Sequence, residues 1–393
     1  MTDKRRVAIV GLGVVSCCGT GKEAFWHGLI SAPPEGERRI HDFEPNDWYD
    51  NPKIARRADR SQQLAHATAT MAMRDAGELT SDPGRSGVIY ATGVGGMATF
   101  ESQVLVYEEK GARRVSPFMI PMMMPNAAGA AISMAFGLQG PCETITTACA
   151  ASTHAIGNAA RLIQYGRCDV VLAGGCEAAM TPVGMAGFSN MTALSRSDIS
   201  MPFDLHRDGF MMTEGASTLV LEEWESAVAR GAHIYGEVLG SGSNADAHHI
   251  TAPSPGGAGA VRCMQLAMED AGVTPDQVVH INAHGTSTPL NDAAEAHAIS
   301  KIFGNSGPLV TSTKGVTGHG LGAAGALEAA AILLAMEHCL IPPTAGHTTP
   351  DPDLPDINLV TGEAVSWEPG VSLSNSFGFG GHNGCLALGP ATT

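Results

Sequence analysis

Positive charge is scarce in this sequence: 23 Lys and Arg stand against 39 Asp and Glu in 393 residues, a formal net charge of −16. A surface of that sign repels phosphate backbones, which argues against general nucleic-acid binding. Charge of either sign is also low, at 16% of residues, while hydrophobic residues reach 44%. Such a balance fits a large buried core, with apolar surface left over for subunit interfaces. Regular cysteine spacing is missing too. The nine cysteines are odd in number and form no C-x-x-C pair, and Cys17 and Cys18 are simply adjacent. They read as reduced thiols in a cytoplasmic protein, without a zinc site. No apolar run reaches membrane-spanning length, and the first six residues lead straight into a strand without a leader-like pattern, so a soluble chain is expected.

What the chain does contain is an alternation of short apolar runs with Ala-rich helical patterns. Strands are expected at 7–10, 87–92, 169–175 and 217–222, and a second set at 234–240, 278–282, 309–312, 371–375 and 385–388. Helices are expected at 22–31, 61–76, 292–303 and 321–339. The fold class is therefore α/β, a layered α/β/α/β/α arrangement of two similar halves, 1–243 and 244–393, although no clean sequence repeat links them. Gly11-Leu12-Gly13 resembles the start of a dinucleotide fingerprint, but Ser16 replaces the third glycine, so a tight turn after a short strand is expected instead. The run Pro117 to Pro125, rich in methionine and bracketed by prolines, is not expected to form a regular helix. It fits an adaptable apolar pocket or a subunit interface.

One stretch organises the chemistry: Thr146-Thr147-Ala148-Cys149-Ala150-Ala151-Ser152, followed by an Ala-rich helical pattern. It places a cysteine between a strand and a helix start, where free N–H groups and the helix dipole favour a thiolate. Those N–H groups can also hold an oxyanion beside the sulfur. A buried small hydrophobe is the equally weighted alternative from this stretch alone. Three further strand ends carry polar or glycine-rich tips: Ala283-His284-Gly285-Thr286-Ser287-Thr288-Pro289, the segment from Thr313 and Lys314 through His319 to Gly325, and the turn Phe377-Gly378-Phe379-Gly380-Gly381-His382-Asn383. Function commonly sits at such strand ends.

Cys149 in T-A-C-A-A-S, His284 in A-H-G-T-S-T-P, Lys314 and His319 in S-T-K-G-V-T-G-H-G-L-G-A-A-G, and the closing N-S-F-G-F-G-G together resemble the β-ketoacyl-[acyl carrier protein] synthases. The resemblance spans Val7 to Leu388 and is greatest to synthase II and the polyketide ketosynthase α-subunits. It implies a thiolase-like fold, a dimer, and a decarboxylating condensation. Cys149 is then the nucleophile that carries the acyl group, and His284 and His319 bind the malonyl thioester. Phe379, with Cys149, supplies the oxyanion hole, and Lys314 with Glu328 orders the histidines. Thr286 and Thr288 are expected to contact the phosphopantetheine arm, with Phe377 in the same site and Val94 limiting acyl length. No metal or dissociable cofactor is implied, because the substrate arrives on the phosphopantetheine of an acyl carrier protein. Arg56, Arg57 and Arg60, with Lys110, Arg113 and Arg114, match positions where the family docks that carrier.

Asn291 and His382 depart from the family pattern, standing where glycine and threonine are common. Alternatives within the same chemistry are the catalytic subunit of a heterodimer with a chain-length factor and, less favoured, a coenzyme A thiolase or an inactive carrier-binding subunit. A thiolase would need a second cysteine as base; Cys385 is expected in the core instead.

Overall fold

The computed structural model describes residues 4–34 and 36–392. Its ten principal strands are β1 (Val7–Ser16), β2 (Ser86–Ala91), β3 (Cys142–Ile145), β4 (Val170–Glu177), β5 (Gly215–Glu223), β6 (Gly236–Ala245), β7 (Val278–Asn282), β8 (Leu309–Thr311), β9 (Val371–Gly378) and β10 (His382–Gly389). They run in the order β3-β2-β4-β5-β1 and continue as β6-β10-β9-β7-β8. The second half repeats the first. In each, the second strand pairs parallel with the third and fourth, and the fourth, fifth and first then pair antiparallel. The halves join where β1 meets β6 over Ala8↔Glu237 and Ile9↔Gly236. The division expected after residue 243 falls inside β6, whose first residue, Gly236, opens the second half.

The six helices that cover these strands are α1 (Arg60–Ala76), α2 (Ala127–Phe136), α3 (Ala151–Gln164), α4 (Ala258–Ala271), α5 (Pro289–Phe303) and α6 (Ala324–His338). Three apolar clusters define the layers. One joins α1 and α2 to β1, β2 and β4, and another joins α4 and α5 to β7, β9 and β10. The largest lies between the halves and is filled by α3 and α6. Every residue of α6 from Ala324 to Met336 is buried, which explains an apolar pattern without a polar face. The segment Leu321–His338 is long and apolar enough to cross a membrane, but 89% of it is buried in this core.

Strand β1 is buried over all ten residues and paired on both sides, so it reads as an apolar run rather than an alternation. Gly11 and Gly13 lie in mid-strand, not in the turn expected from their spacing. They admit α1: a Cβ on Gly13 would stand 1.9 Å from the Thr68 carbonyl oxygen. Gly240 and Gly242 of β6 do the same for α4, a Cβ on Gly242 falling 2.2 Å from the Cys263 carbonyl oxygen. The duplication was therefore legible in one place, as G-x-G in each opening strand. The methionine-rich run also differs from expectation. Met119–Met123 forms a short helix, and Pro121 lies in its first turn, where a missing N–H breaks no helical bond.

Gly13→Ala and Gly242→Ala are each expected to destabilise the protein by about 1–3 kcal/mol, because backbone must move to admit the methyl group. Gly187→Ala, in the helix Pro182–Asn190 with nothing within 4 Å of the added carbon, should leave stability unchanged or raise it. Chemical denaturation of the three variants checks the contrast.

Candidate active site

The chain leaves β3 at Ile145 and turns sharply into α3. Ala148 takes a left-handed φ of 49°, a single 3-10 turn spans Ala148–Ala150, and the helix starts at Ala151. A left-handed alanine is strained, and the surroundings must hold it there. His154 on α3 does part of this, bonding Thr147 Oγ1 at 2.8 Å and the Asn383 carbonyl at 3.0 Å. Gly378 presses from the other half: a Cβ there would meet Thr147 O at 2.9 Å and Cys149 N at 3.0 Å. This close approach brings the Phe379 N–H, beside that of Cys149 itself, onto the sulfur.

The histidines come from the second half. His319 follows the helical turn Lys314–Thr317, and its backbone is fixed by Met211 O at 2.7 Å and Thr213 N at 3.2 Å. Its Nε2 lies 3.0 Å from Cys149 Sγ, with the Phe210 ring edge-on at 4.9 Å. His284 lies just past β7, its ring 5.3 Å from that of His319. Glu295 on α5 accepts from the N–H groups of His284 at 2.8 Å and Gly285 at 2.7 Å. Lys314 is buried between two partners. Its ammonium pairs with Glu328 and lies 3.4 Å from His284 Nδ1. An ammonium only donates, so Nδ1 accepts and the proton of neutral His284 sits on Nε2.

Burial dominates the electrostatics. It pushes the Cys149 thiol up to about 11, against the lowering pull of Lys314 and of the Phe379 and Cys149 N–H groups. The helix start therefore does not activate the thiol unaided, contrary to the sequence-based expectation, because desolvation of the thiolate outweighs the dipole. Burial first, and Lys314 next, hold both His284 and His319 well below the usual imidazole range. Glu328 is raised to about 7 by burial despite its lysine partner. The site at rest is thus a neutral thiol and two neutral imidazoles beside one fixed ammonium. The ligand-type atoms of Cys149, His284 and His319 lie within 4.8 Å of one another, but that ammonium opposes a dication there.

A cavity of about 630 Å³ reaches Cys149, His284 and His319, and Thr286, Thr288, Phe377 and Phe379 line it. The two threonine hydroxyls bond each other at 2.9 Å. Asn291 also lines the cavity, its amide bonded to Asp292 at 3.1 Å. Val94 is not among the lining residues; it lies in the turn after β2 and is 43% exposed. Cys385 is fully buried in mid-β10, in the second-half core. Arg56, Arg57, Arg113 and Arg114 are exposed, and the Arg57 guanidinium stacks on Phe118 at 4.3 Å, bringing the two basic segments together. Arg60 differs from the docking expectation. It opens α1 and turns inward, pairing with Glu214 at 3.1 Å and lying over Phe43. Glu295, His154 and Phe210 escaped the sequence reading; Glu295 alone had a signal, a carboxylate eleven residues past His284 on the helix that follows it.

Residues 35–227 match the family model of the beta-ketoacyl synthase N-terminal domain, and residues 235–348 that of its C-terminal domain. A Synechocystis protein named 3-oxoacyl-[acyl-carrier-protein] synthase 2 is 43% identical, the match covering 98% of each chain. Among solved structures, the ishigamide ketosynthase/chain length factor superposes with a TM-score of 0.93 at 35% identity, over 99% of this chain and 100% of that one. A type II PKS acyl-carrier protein in complex with its ketosynthase, bound to a hexaketide, gives 0.89 at 31% identity, over 99% and 100%.

With the thiol near 11, iodoacetamide alkylation of Cys149 in the free protein should still be rising with pH above about pH 9. Lys314→Met removes the cation that favours the thiolate, so alkylation at fixed pH should slow and its inflection move upward. An unchanged profile in that variant would show that Lys314 does not act on the sulfur.

Proposed function

The chain belongs to the beta-ketoacyl synthase family, and on that premise we propose that it condenses an acyl group held on Cys149 with malonyl-[acyl carrier protein]. The observation that carries the reading is the 3.0 Å contact between Cys149 Sγ and His319 Nε2 inside a site whose imidazoles are held neutral by burial and by Lys314. In the first half-reaction Cys149 attacks the acyl thioester while His319 takes the thiol proton and passes it to the departing pantetheine sulfur. The tetrahedral oxyanion falls to the N–H groups of Phe379 and Cys149. In the second, the malonyl thioester enters between the histidines and loses carbon dioxide. The electron pair left behind forms an enolate, whose oxygen takes hydrogen bonds from His284 Nε2–H and from the Nε2–H tautomer of His319. Its carbon then attacks the acyl-cysteine, and collapse of that intermediate expels the Cys149 thiolate and frees a β-ketoacyl carrier thioester.

Both imidazoles are neutral because of burial and Lys314, which suits them to donate a hydrogen bond to an enolate without protonating its carbon. Thr286 and Thr288 are proposed to receive the phosphopantetheine arm in the cavity leading to the sulfur. The chemistry asks for no dissociable cofactor or metal, and its proposed setting is the cytoplasm. A dimer with a chain-length-factor-like partner is the second reading, favoured by the structural likeness to a ketosynthase/chain length factor.

Intact-mass measurement after exposure to a panel of acyl-carrier thioesters, followed by malonyl-carrier, tests the assignment. The wild type should gain one acyl group and release it as β-ketoacyl carrier, and Cys149→Ala should do neither. An acyl adduct persisting at another cysteine of that variant would sink it.

The exposed arginines yield a second test. Arg57→Glu or Arg114→Glu should weaken use of carrier-bound substrate, with the difference from wild type shrinking at high salt. Acylation by a small thioester mimic should be nearly unchanged. Equal losses with both substrates would place carrier docking elsewhere.

A further inference from the structure

Glu177 ends β4 with none of its surface exposed, and the reaction described above makes no use of it. Its carboxylate is fully engaged, but by no cation among the described residues. Thr92 Oγ1 donates to it at 3.1 Å, the Gly93 N–H at 2.7 Å and the Gly322 N–H at 3.0 Å. Gly93 and Val94 form the turn after β2, in the first half. Gly322 stands three residues beyond His319, in the second, just after Leu321 with its left-handed φ of 45°. The turns touch so closely that a Cβ on Gly322 would fall 2.1 Å from Gly93 N, and one on Gly93 would fall 2.6 Å from a Glu177 oxygen. One carboxylate therefore clamps the two halves together beside the His319 loop. The titratable groups that feel its charge are two thiols, Cys149 and Cys176.

We propose that Glu177 is a positioning residue for the condensation. It locks the turn carrying Gly93 and Val94 to the turn that follows His319, and its negative charge disfavours the free Cys149 thiolate relative to the neutral acyl thioester. An anion held near the sulfur makes the thiolate more basic and, once formed, more nucleophilic. The resting thiol and the acyl thioester are both neutral, so the charge acts on the thiolate formed during transfer and opposes its return as a leaving group. Burial raises Glu177 to about 7, so this charge is present above neutrality and lost below it.

The inference rests on Cys149 as the acylated residue, but its test reads the sulfur directly and needs no carrier substrate. Alkylation of Cys149 by iodoacetamide is followed against pH in the wild type, Glu177→Gln and Glu177→Asp. Glutamine removes the charge and should speed alkylation roughly threefold at pH 8, the gain in thiolate from a shift of about one pH unit less its loss of nucleophilicity, while condensation slows. Aspartate keeps the charge and should keep the wild-type alkylation profile, although its shorter reach slows condensation. Equal acceleration in both variants would mean that the clamp only excludes water, and wild-type profiles in both would mean that its charge does not reach the sulfur. Either result overturns the proposal. Should the Glu177 variants fail to fold, Thr92→Val removes one donor to the carboxylate. It should move the inflection near pH 7 in the alkylation profile upward, and an unmoved inflection counts against the proposal. If Cys149 alkylates as expected but never accepts an acyl group, the proposed function fails and the clamp stands.

Discussion

One buried ammonium governs the site. Lys314 is 1% exposed, and Glu328, 2% exposed, lies against it and balances its charge at that depth. The charge then spreads its effects over three neighbours. It adds to burial in holding His284 and His319 neutral, fixes the tautomer of His284 through Nδ1, and partly offsets the desolvation that drives the thiol upward. Removing the lysine would leave Glu328 unpaired in the core, so the pair's value lies in the field it sets as much as in stability. Ser376 and Thr153, hydrogen-bonded at 2.7 Å, continue the polar chain from Glu328 toward the helix that follows Cys149.

The duplication explains why the sulfur and the imidazoles come from opposite halves. Residues Ala91 and Asn282 hold matching positions in the two sheets, each facing the end of the third strand of its half. Two residues further, one half has Gly93 and the other His284. The same scaffold position thus yields a glycine that admits a neighbouring turn and a histidine that lines the cavity beside Cys149. The helices α3 and α6 fill the layer between, and Gly325 of α6 lies so near Thr153 that a side chain there would overlap its hydroxyl. With no room between these helix starts, the distance from Cys149 to His319 is set by backbone packing rather than by side-chain choice.

The surroundings of the sulfur divide by polarity. Toward the cavity stand histidines, threonines and the Phe379 turn. Met180, Met212 and Ala179 join Phe210, Leu321 and Ala193, which also line the cavity, in an apolar cluster beside the sulfur. Methionine and leucine side chains can repack, which suits a region that must admit an acyl chain. The exposed arginines near the surface are few in so acidic a chain, and the stacking of Arg57 on Phe118 holds one of them in a defined place.

The sequence by itself determined the class of fold and most of the groups that the fold gathers around Cys149. Apolar runs separated by Ala-rich helices are local patterns, and Cys149, His284, Lys314, His319 and Phe379 each sit in a short motif whose glycines and threonines mark a strand end. Glu328 was legible for the same reason, one helix past Lys314. Properties that depend on what lies opposite a residue were not legible. Gly11 and Gly13 looked like a turn because only α1, some fifty residues on, shows what they make room for. Arg60 looked like a surface charge because its partner, Glu214, lies far along the chain. The thiol's acidity was misjudged because a dipole is local and readable, whereas desolvation is the sum of everything packed around the sulfur. Glu177 gave no signal at all, since its three donors come from two distant turns that only the folded halves bring together.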